Sequence, residues 1–217
     1  MNVYFISGLG ADKRIFSKLN LDKRINIIHI DWIQPTKNES LENYAKRLGL
    51  VIDTTQSFAI VGVSFGGMIA TELAKAYKPK AIIAISSTIE GRYLPASYRF
   101  AGKLNLVKII PTGILKASNK ITQNYFFGVK SIEERELLSR IIADTDPKFL
   151  KWAIGSILSW KNKVTPKNLY HIHGTNDKVL YSKNARPDYL IKNGTHFMVY
   201  QNAKEISYLI DDIILKS

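Results

Sequence analysis

The stretch Phe58-Ala-Ile-Val-Gly-Val-Ser-Phe-Gly-Gly-Met-Ile-Ala70 carries an apolar run that breaks at Gly62-Val63-Ser64-Phe65-Gly66-Gly67 and resumes as a helix-prone segment. It reads as a strand, a tight turn and a helix. Such a turn presents the Ser64 hydroxyl at a strained strand-to-helix corner, and glycines two before and two after let the backbone close where a Cβ would collide. The helix starting behind the serine leaves unpaired N–H groups beside the hydroxyl, so the Phe65 amide can stabilise negative charge on an attacked carbonyl oxygen. Gly-x-Ser-x-Gly also arises by chance, and glycine joins are ordinary in α/β proteins. Partners elsewhere in the chain must decide what Ser64 does.

Outward from this stretch, strand and helix alternate. Val3 to Ser7 is a continuous apolar strand that ends in Ser7-Gly-Leu-Gly-Ala-Asp12, with a helix expected near Lys13 to Leu19 and Asp12 as its cap. Ile25 to Ile30 reads as a second buried strand. A helix from Ser40 to Ile52 places Leu41, Ala45, Leu48 and Ile52 on one face. Strands at Phe58 to Val63 and Ala81 to Ser86 flank the helix behind Ser64; strands at Leu169 to His173 and Tyr189 to Ile191 and a helix from Ala203 to Leu215 finish the chain. Strands apolar on both faces, separated by helices, imply a parallel sheet covered on both sides. Between residues 89 and 166 the alternation stops. Helices are expected there at Ala96 to Ile109 (ended by Pro111), at Gly113 to Phe127 (ended by Gly128), after the capping box Ser131-Ile-Glu-Glu134, and after Asp146-Pro147.

The 217 residues, 46% hydrophobic, suit one domain with an insertion. Without cysteine there is no disulfide, thiolate metal site or cysteine nucleophile. Val3 starts a strand with no basic leader before it, and no run approaches the roughly 18 apolar residues of a membrane span, so neither a signal peptide nor membrane insertion is expected and a cytoplasmic setting is. The net charge of +13 comes mostly from lysine, 23 against 8 arginines, and the cations are dispersed. Nucleic-acid surfaces lean on clustered arginine and interleaved aromatics, so no nucleic-acid partner is expected. The charge is uneven: residues 89–165 hold 13 Lys and Arg against 6 Asp and Glu. Nothing in the sequence speaks to oligomeric state.

Sites on open parallel sheets form at the carboxyl ends of strands. The strand ending at His173 is followed by Gly174-Thr-Asn-Asp177, and the last strand by Asn193-Gly-Thr-His196. A serine hydroxyl becomes nucleophilic when an imidazole takes its proton, and the imidazole needs a carboxylate to hold its tautomer. Ser64, His196 and Asp177 are the candidates.

Taken together, Gly62-x-Ser64-x-Gly66-Gly67, His173-Gly-Thr-Asn-Asp177 and Gly194-Thr-His196, in the chain order Ser, Asp, His, resemble the nucleophile elbow, acid loop and histidine loop of the α/β-hydrolase superfamily. The likeness covers nearly the whole chain. It implies that Leu9, in Ser7-Gly8-Leu9-Gly10, gives the second oxyanion N–H beside Phe65, with Ser7 where the family often has histidine. It also implies a mostly parallel six-stranded sheet with helices on both faces, lacking the family's first two strands. The core would be residues 1–88 and 167–217, and residues 89–166 would form a helical lid. The activity implied is hydrolysis of a small-molecule carboxylic ester or thioester, with no cofactor and no metal; the basic excess in the lid suggests an anionic leaving group.

Other readings use the same residues. Gly8-Leu-Gly10 with Asp31, 21 residues on, resembles a dinucleotide fingerprint, but Lys13 stands where a small third residue is needed. His29, His171 and His173 form no helical zinc pair; the first two read as core or edge residues and His173 as a shaper of the acid loop. Glu90 is a rival acid to Asp177. Tyr93, Phe126, Trp152 and Phe197 are candidate pocket residues against a default of ordinary packing. The superfamily also contains lyases, cofactor-free oxygenases and ligand receptors, among which fold does not choose. Dehalogenase and epoxide hydrolase relatives need aspartate in place of Ser64.

Overall fold

The computed structural model describes residues 1–110 and 120–216. Six strands, β1 (Asn2–Ile6), β2 (Asn26–Ile30), β3 (Phe58–Val63), β4 (Ala81–Ile85), β5 (Leu169–Gly174) and β6 (Tyr189–Ile191), form one sheet in the order β2-β1-β3-β4-β5-β6. Every neighbouring pair is parallel. From β1 the chain first moves outward to β2, then crosses back to β3, so the direction of winding reverses between β1 and β3. Ligands of open α/β sheets bind outside the carboxyl ends of the strands at such a reversal. The Ser7–Asp12 loop and Ser64 both lie there.

The period-two alternation of the strands sorts their side chains onto two cores. Val3, Phe5, Ala59, Val61, Ile83 and Ile85 face one layer, while Tyr4, Ile6, Ile60, Ile82 and Ala84 face the other. The second layer is covered by α1 (Leu41–Leu48) and α2 (Phe65–Ala76). Between β4 and β5 the described elements are helical: α3 (Ala96–Lys103), α4 (Leu106–Ile109), α5 (Lys120–Phe127), α6 (Ile132–Asp144) and α7 (Pro147–Ser159), besides a 3₁₀ turn at Gly91–Tyr93. Short helices α8 (Ser182–Ala185) and α9 (Met198–Gln201) precede the last helix, α10 (Ala203–Lys216). Ile206, Ile210, Ile213 and Ile214 of α10 are buried at helical spacing against the first layer. Among the described residues no helix is long and apolar enough to cross a membrane.

The expected caps form: Ser40 accepts from the Asn43 amide, Ser131 and Glu134 make a reciprocal box, and Asp146 accepts from Phe149 ahead of Pro147. Four expectations need correction. The segment after Asp12 makes only a 3₁₀ turn, Lys13–Phe16, because the Asp12 carboxylate takes the Arg14 amide two residues on. β2 is an edge strand with Asn26 and Ile27 exposed, not a buried one. The α1 helix stops at Leu48 and gives way to a 3₁₀ turn at Gly49–Val51. The helix expected over Ala96 to Ile109 is two pieces, broken where Asn105 takes a left-handed backbone at φ 52°. Pro111 and residues 113–119 of the next expected helix lie outside the described residues.

The turn at Ser64 is wedged against the end of β1. A Cβ on Gly66 would meet the carbonyl oxygens of Ile6 and Ser7, and one on Gly62 would meet the backbone of Gly66. Backbone cannot retreat as a side chain can. Gly66→Ala is therefore expected to destabilise the protein by about 1–3 kcal/mol, whereas Gly155→Ala, inside α7 with nothing within 4 Å, should be neutral or stabilise by up to about 1 kcal/mol. Urea midpoints of the two variants in the opposite order would contradict this packing.

Candidate active site

Ser64 adopts φ 53° and ψ −117° at the junction of β3 and α2. A non-glycine residue persists there only when its surroundings over-determine it. Here the Ser64 amide donates to Ile85 O at 2.9 Å, and its carbonyl accepts from Ser87 Oγ at 2.7 Å and the Gly67 amide at 2.9 Å. The Ser64 Oγ lies 2.9 Å from His196 Nε2, and His196 Nδ1 lies 2.8 Å from Asp177 Oδ2. An ionised carboxylate only accepts, so Nδ1–H donates to Asp177 and Nε2 is left to accept the serine proton. Asp177 and His196 are both buried.

Asp177 is held by more than the histidine. Its Oδ1 accepts from the amides of Val179 and Leu180, each at 2.9 Å, and His173 Nε2 sits 3.4 Å from Oδ2 and 2.7 Å from Leu180 O. Burial pushes this carboxyl up, but the adjacent His196 and the hydrogen bonds from His173 and His196 prevail and hold it well below the ordinary carboxylate range. His173 Nδ1 in turn lies 3.1 Å from His171 Nε2. With His173 Nε2 facing a carbonyl and a carboxylate, to which it donates, Nδ1 of His173 is left to accept from His171 Nε2–H.

The histidine loop is fastened through Thr195, whose hydroxyl donates to Gln201 Oε1 at 2.7 Å; Gln201 Nε2 donates to Gly128 O and to Glu134 Oε2. Glu134 thus closes its own helix cap and props the loop bearing His196. The glycine loop after β1 is pinned by three donors: Ser7 Oγ and Trp32 Nε1 both reach Ala11 O, and Thr145 Oγ1 reaches Gly10 O. Ser7 therefore supports this loop through its side chain. A Cβ at Gly8 would lie 3.5 Å from Ser64 Cβ, so this loop passes directly over the serine. Among the described residues neither the Leu9 nor the Phe65 amide donates to a protein acceptor.

Ser64, His196, Leu9, Phe65 and Phe197 all line one cavity of about 470 Å³. Tyr93, Phe126 and Trp152, expected beside Phe197, do not. Trp152 packs its ring 4.3 Å from that of Tyr44 and donates to Glu39 O, Tyr93 lies under the Arg92 guanidinium, and Phe126 is exposed against Tyr125. Glu90 is engaged by Arg92 at 2.7 Å and by Thr165 Oγ1 at 3.0 Å, and makes no hydrogen bond or ion pair with His196. The cavity wall is instead largely aliphatic, with Leu138, Ile141 and Ile142 on α6 and Ile154, Ile157 and Leu158 on α7. Their spacing of three and four marks a buried helix face and nothing more, so the sequence offered no signal to separate wall from core.

At the level of sequence no family model and no curated protein matches this chain. Solved structures do. A thermophilic esterase from Thermogutta terrifontis superposes with a TM-score of 0.74 over 100% of this chain and 90% of its own, at 13% identity. A hydrolase from Pseudomonas aeruginosa gives 0.75 over 98% and 89%, at 11% identity. The chain has the α/β-hydrolase fold. A lipase-esterase related protein from Clostridium acetobutylicum shares that fold, with a TM-score of 0.69 over 98% of this chain and 93% of its own, at 15% identity. Within the α/β-hydrolase fold of this chain, Ser64, Asp177 and His196 occupy the ends of β3, β5 and β6.

One consequence is open to direct test. Burial, then the neighbouring His173, pushes the His171 imidazole from 6.5 down to about 3. Between those values the unfolded chain binds a proton that the folded one refuses, so stability falls as pH is lowered through this window, by at most about 1.4 kcal/mol per pH unit. Half-buried His29, also pushed down by burial, acts in the same sense, and so does Asp177 near pH 4, where the unfolded carboxylate takes up a proton that the folded one does not. Thermal midpoints measured from pH 7 to pH 4 should fall less steeply in His171→Gln than in the parent; parallel slopes would show that His171 is not the proton-refusing group.

Proposed function

We propose that the protein is a serine hydrolase that cleaves a carboxylic ester or thioester through an acyl-enzyme on Ser64. The observation that carries this reading is the unbroken hydrogen-bond chain Ser64 Oγ, His196 Nε2, His196 Nδ1, Asp177 Oδ2 at 2.9 and 2.8 Å. The esterases and hydrolases that share the fold are in keeping with it.

In the proposed reaction Ser64 Oγ attacks the acyl carbon while His196 Nε2 takes the hydroxyl proton, and Asp177 stabilises the imidazolium. The carbonyl oxygen becomes an oxyanion that accepts from the Leu9 and Phe65 amides, aided by the amino end of α2. Collapse breaks the bond to the leaving alcohol or thiol, which receives the proton from His196. Water then repeats the sequence, losing a proton to His196 and releasing the acid and free Ser64. No cofactor enters these steps. The helices between β4 and β5 would serve as the lid, since several of them wall the cavity that reaches Ser64.

An organophosphonate probe should label Ser64, and Ser64→Ala should lose both labelling and turnover of an activated short-chain ester. Asp177→Asn should keep the fold and lower kcat by about 10³- to 10⁴-fold, because the imidazole is then held in the wrong tautomer. Glu90→Gln should leave kcat within about threefold, since an acid that does not touch the base cannot set its tautomer. Labelling at another residue, or the two acid variants behaving the other way round, would overturn the assignment.

A further inference from the structure

The cavity at Ser64 has an almost wholly apolar wall. Among the described residues only Ser64, His196 and Tyr98 bring a nitrogen or oxygen side-chain atom to it, and none is a Lys, Arg, Asp or Glu. The described basic side chains of residues 89–165 lie outside this wall. Arg92, Arg99, Lys103, Lys161 and Lys163 line a separate groove, which shares with the cavity only Leu158. The two are kept apart by close helix packing, for a Cβ on Gly102 of α3 would meet the Leu158 carbonyl of α7.

We infer that this chamber holds the acyl part of the substrate, and that this part is uncharged and lipophilic. The inference rests on the acyl-enzyme reading of Ser64 and adds to it the substrate class. A carboxylate on the acyl chain would lose its hydration against aliphatic side chains, with no cation among the described wall residues to receive it, and an unpaired buried charge is costly. Each methylene placed there should strengthen binding about fourfold. Any anionic group on a substrate would therefore belong to the leaving group, outside the chamber.

The experiment has two arms. In the first, the parent enzyme is given 4-nitrophenyl esters of two to twelve carbons, together with the octanedioate monoester as a charged match for octanoate. The value of kcat/KM should climb with chain length to at least eight carbons, and the ω-carboxylate ester should fall at least 100-fold below its neutral match. In the second arm, Ser64→Ala is titrated with methyl octanoate and with octanedioic acid monomethyl ester by displacement of a neutral apolar fluorophore. Only the neutral ester should compete. Ile154→Lys, and Leu106→Lys should the first fail to fold, should raise the charged-to-neutral ratio in either arm at least tenfold by offering a cation inside the wall. Equal handling of the charged and neutral esters, or a flat chain-length profile, would overturn the inference even if esters are hydrolysed. Selective binding of the neutral ester without any turnover would instead remove the hydrolase reading and leave the apolar chamber standing.

Discussion

The structure depends on one close approach, that of the Gly62–Gly66 turn to the last residues of β1. Because Gly66 lies against the carbonyl oxygens of Ile6 and Ser7, the serine between the glycines has no room to relax from its positive φ. The same contact fixes the loop that continues from Ser7. Ser64 and the loop over it are thus placed relative to each other by main chain, whose positions are the least adjustable in a protein. The parallel pairing of β1 with β3 on one side and of β3 with β4 on the other transmits this constraint through the sheet.

A second layer of order surrounds the acid. Asp177 is buried and yet remains ionised because the adjacent His196 and the hydrogen bonds from His173 and His196 outweigh the cost of burial, and two loop amides also donate to it. His173 ties Leu180 O, and Leu180 N ties Asp177, so the loop closes on itself around the carboxylate. In this way a short acid loop becomes rigid without a helix or strand of its own.

Much of this was legible in the sequence, for a physical reason. Ser64, Asp177 and His196 each follow an apolar strand and sit in a glycine-bearing loop, so their placement depends on local backbone needs that a few residues encode. Strand order is different: Ile25 to Ile30 looks the same whether central or at an edge, and only the sheet reveals that Ile27 faces solvent. The chamber was illegible too. Aromatic residues drew attention, but Trp152 is drawn into packing with Tyr44 and Phe149. The wall comes from aliphatic faces that carry the spacing of any buried helix. His171 and His173 lie two apart on β5 and so share one face, where their ring nitrogens come within 3.1 Å.

Both ends of α6 are moored to the core. At its start Glu133 is engaged by Lys18 and by the Tyr200 hydroxyl, and Glu134 by Gln201; at its end Asp144 meets Arg14, and Thr145 holds Gly10. The two moorings lead to different loops, one to the loop bearing His196 and one to the glycine loop over Ser64. Swinging this helix aside would break its ties to the loops of His196 and of Ser64 together, so it braces the two against each other.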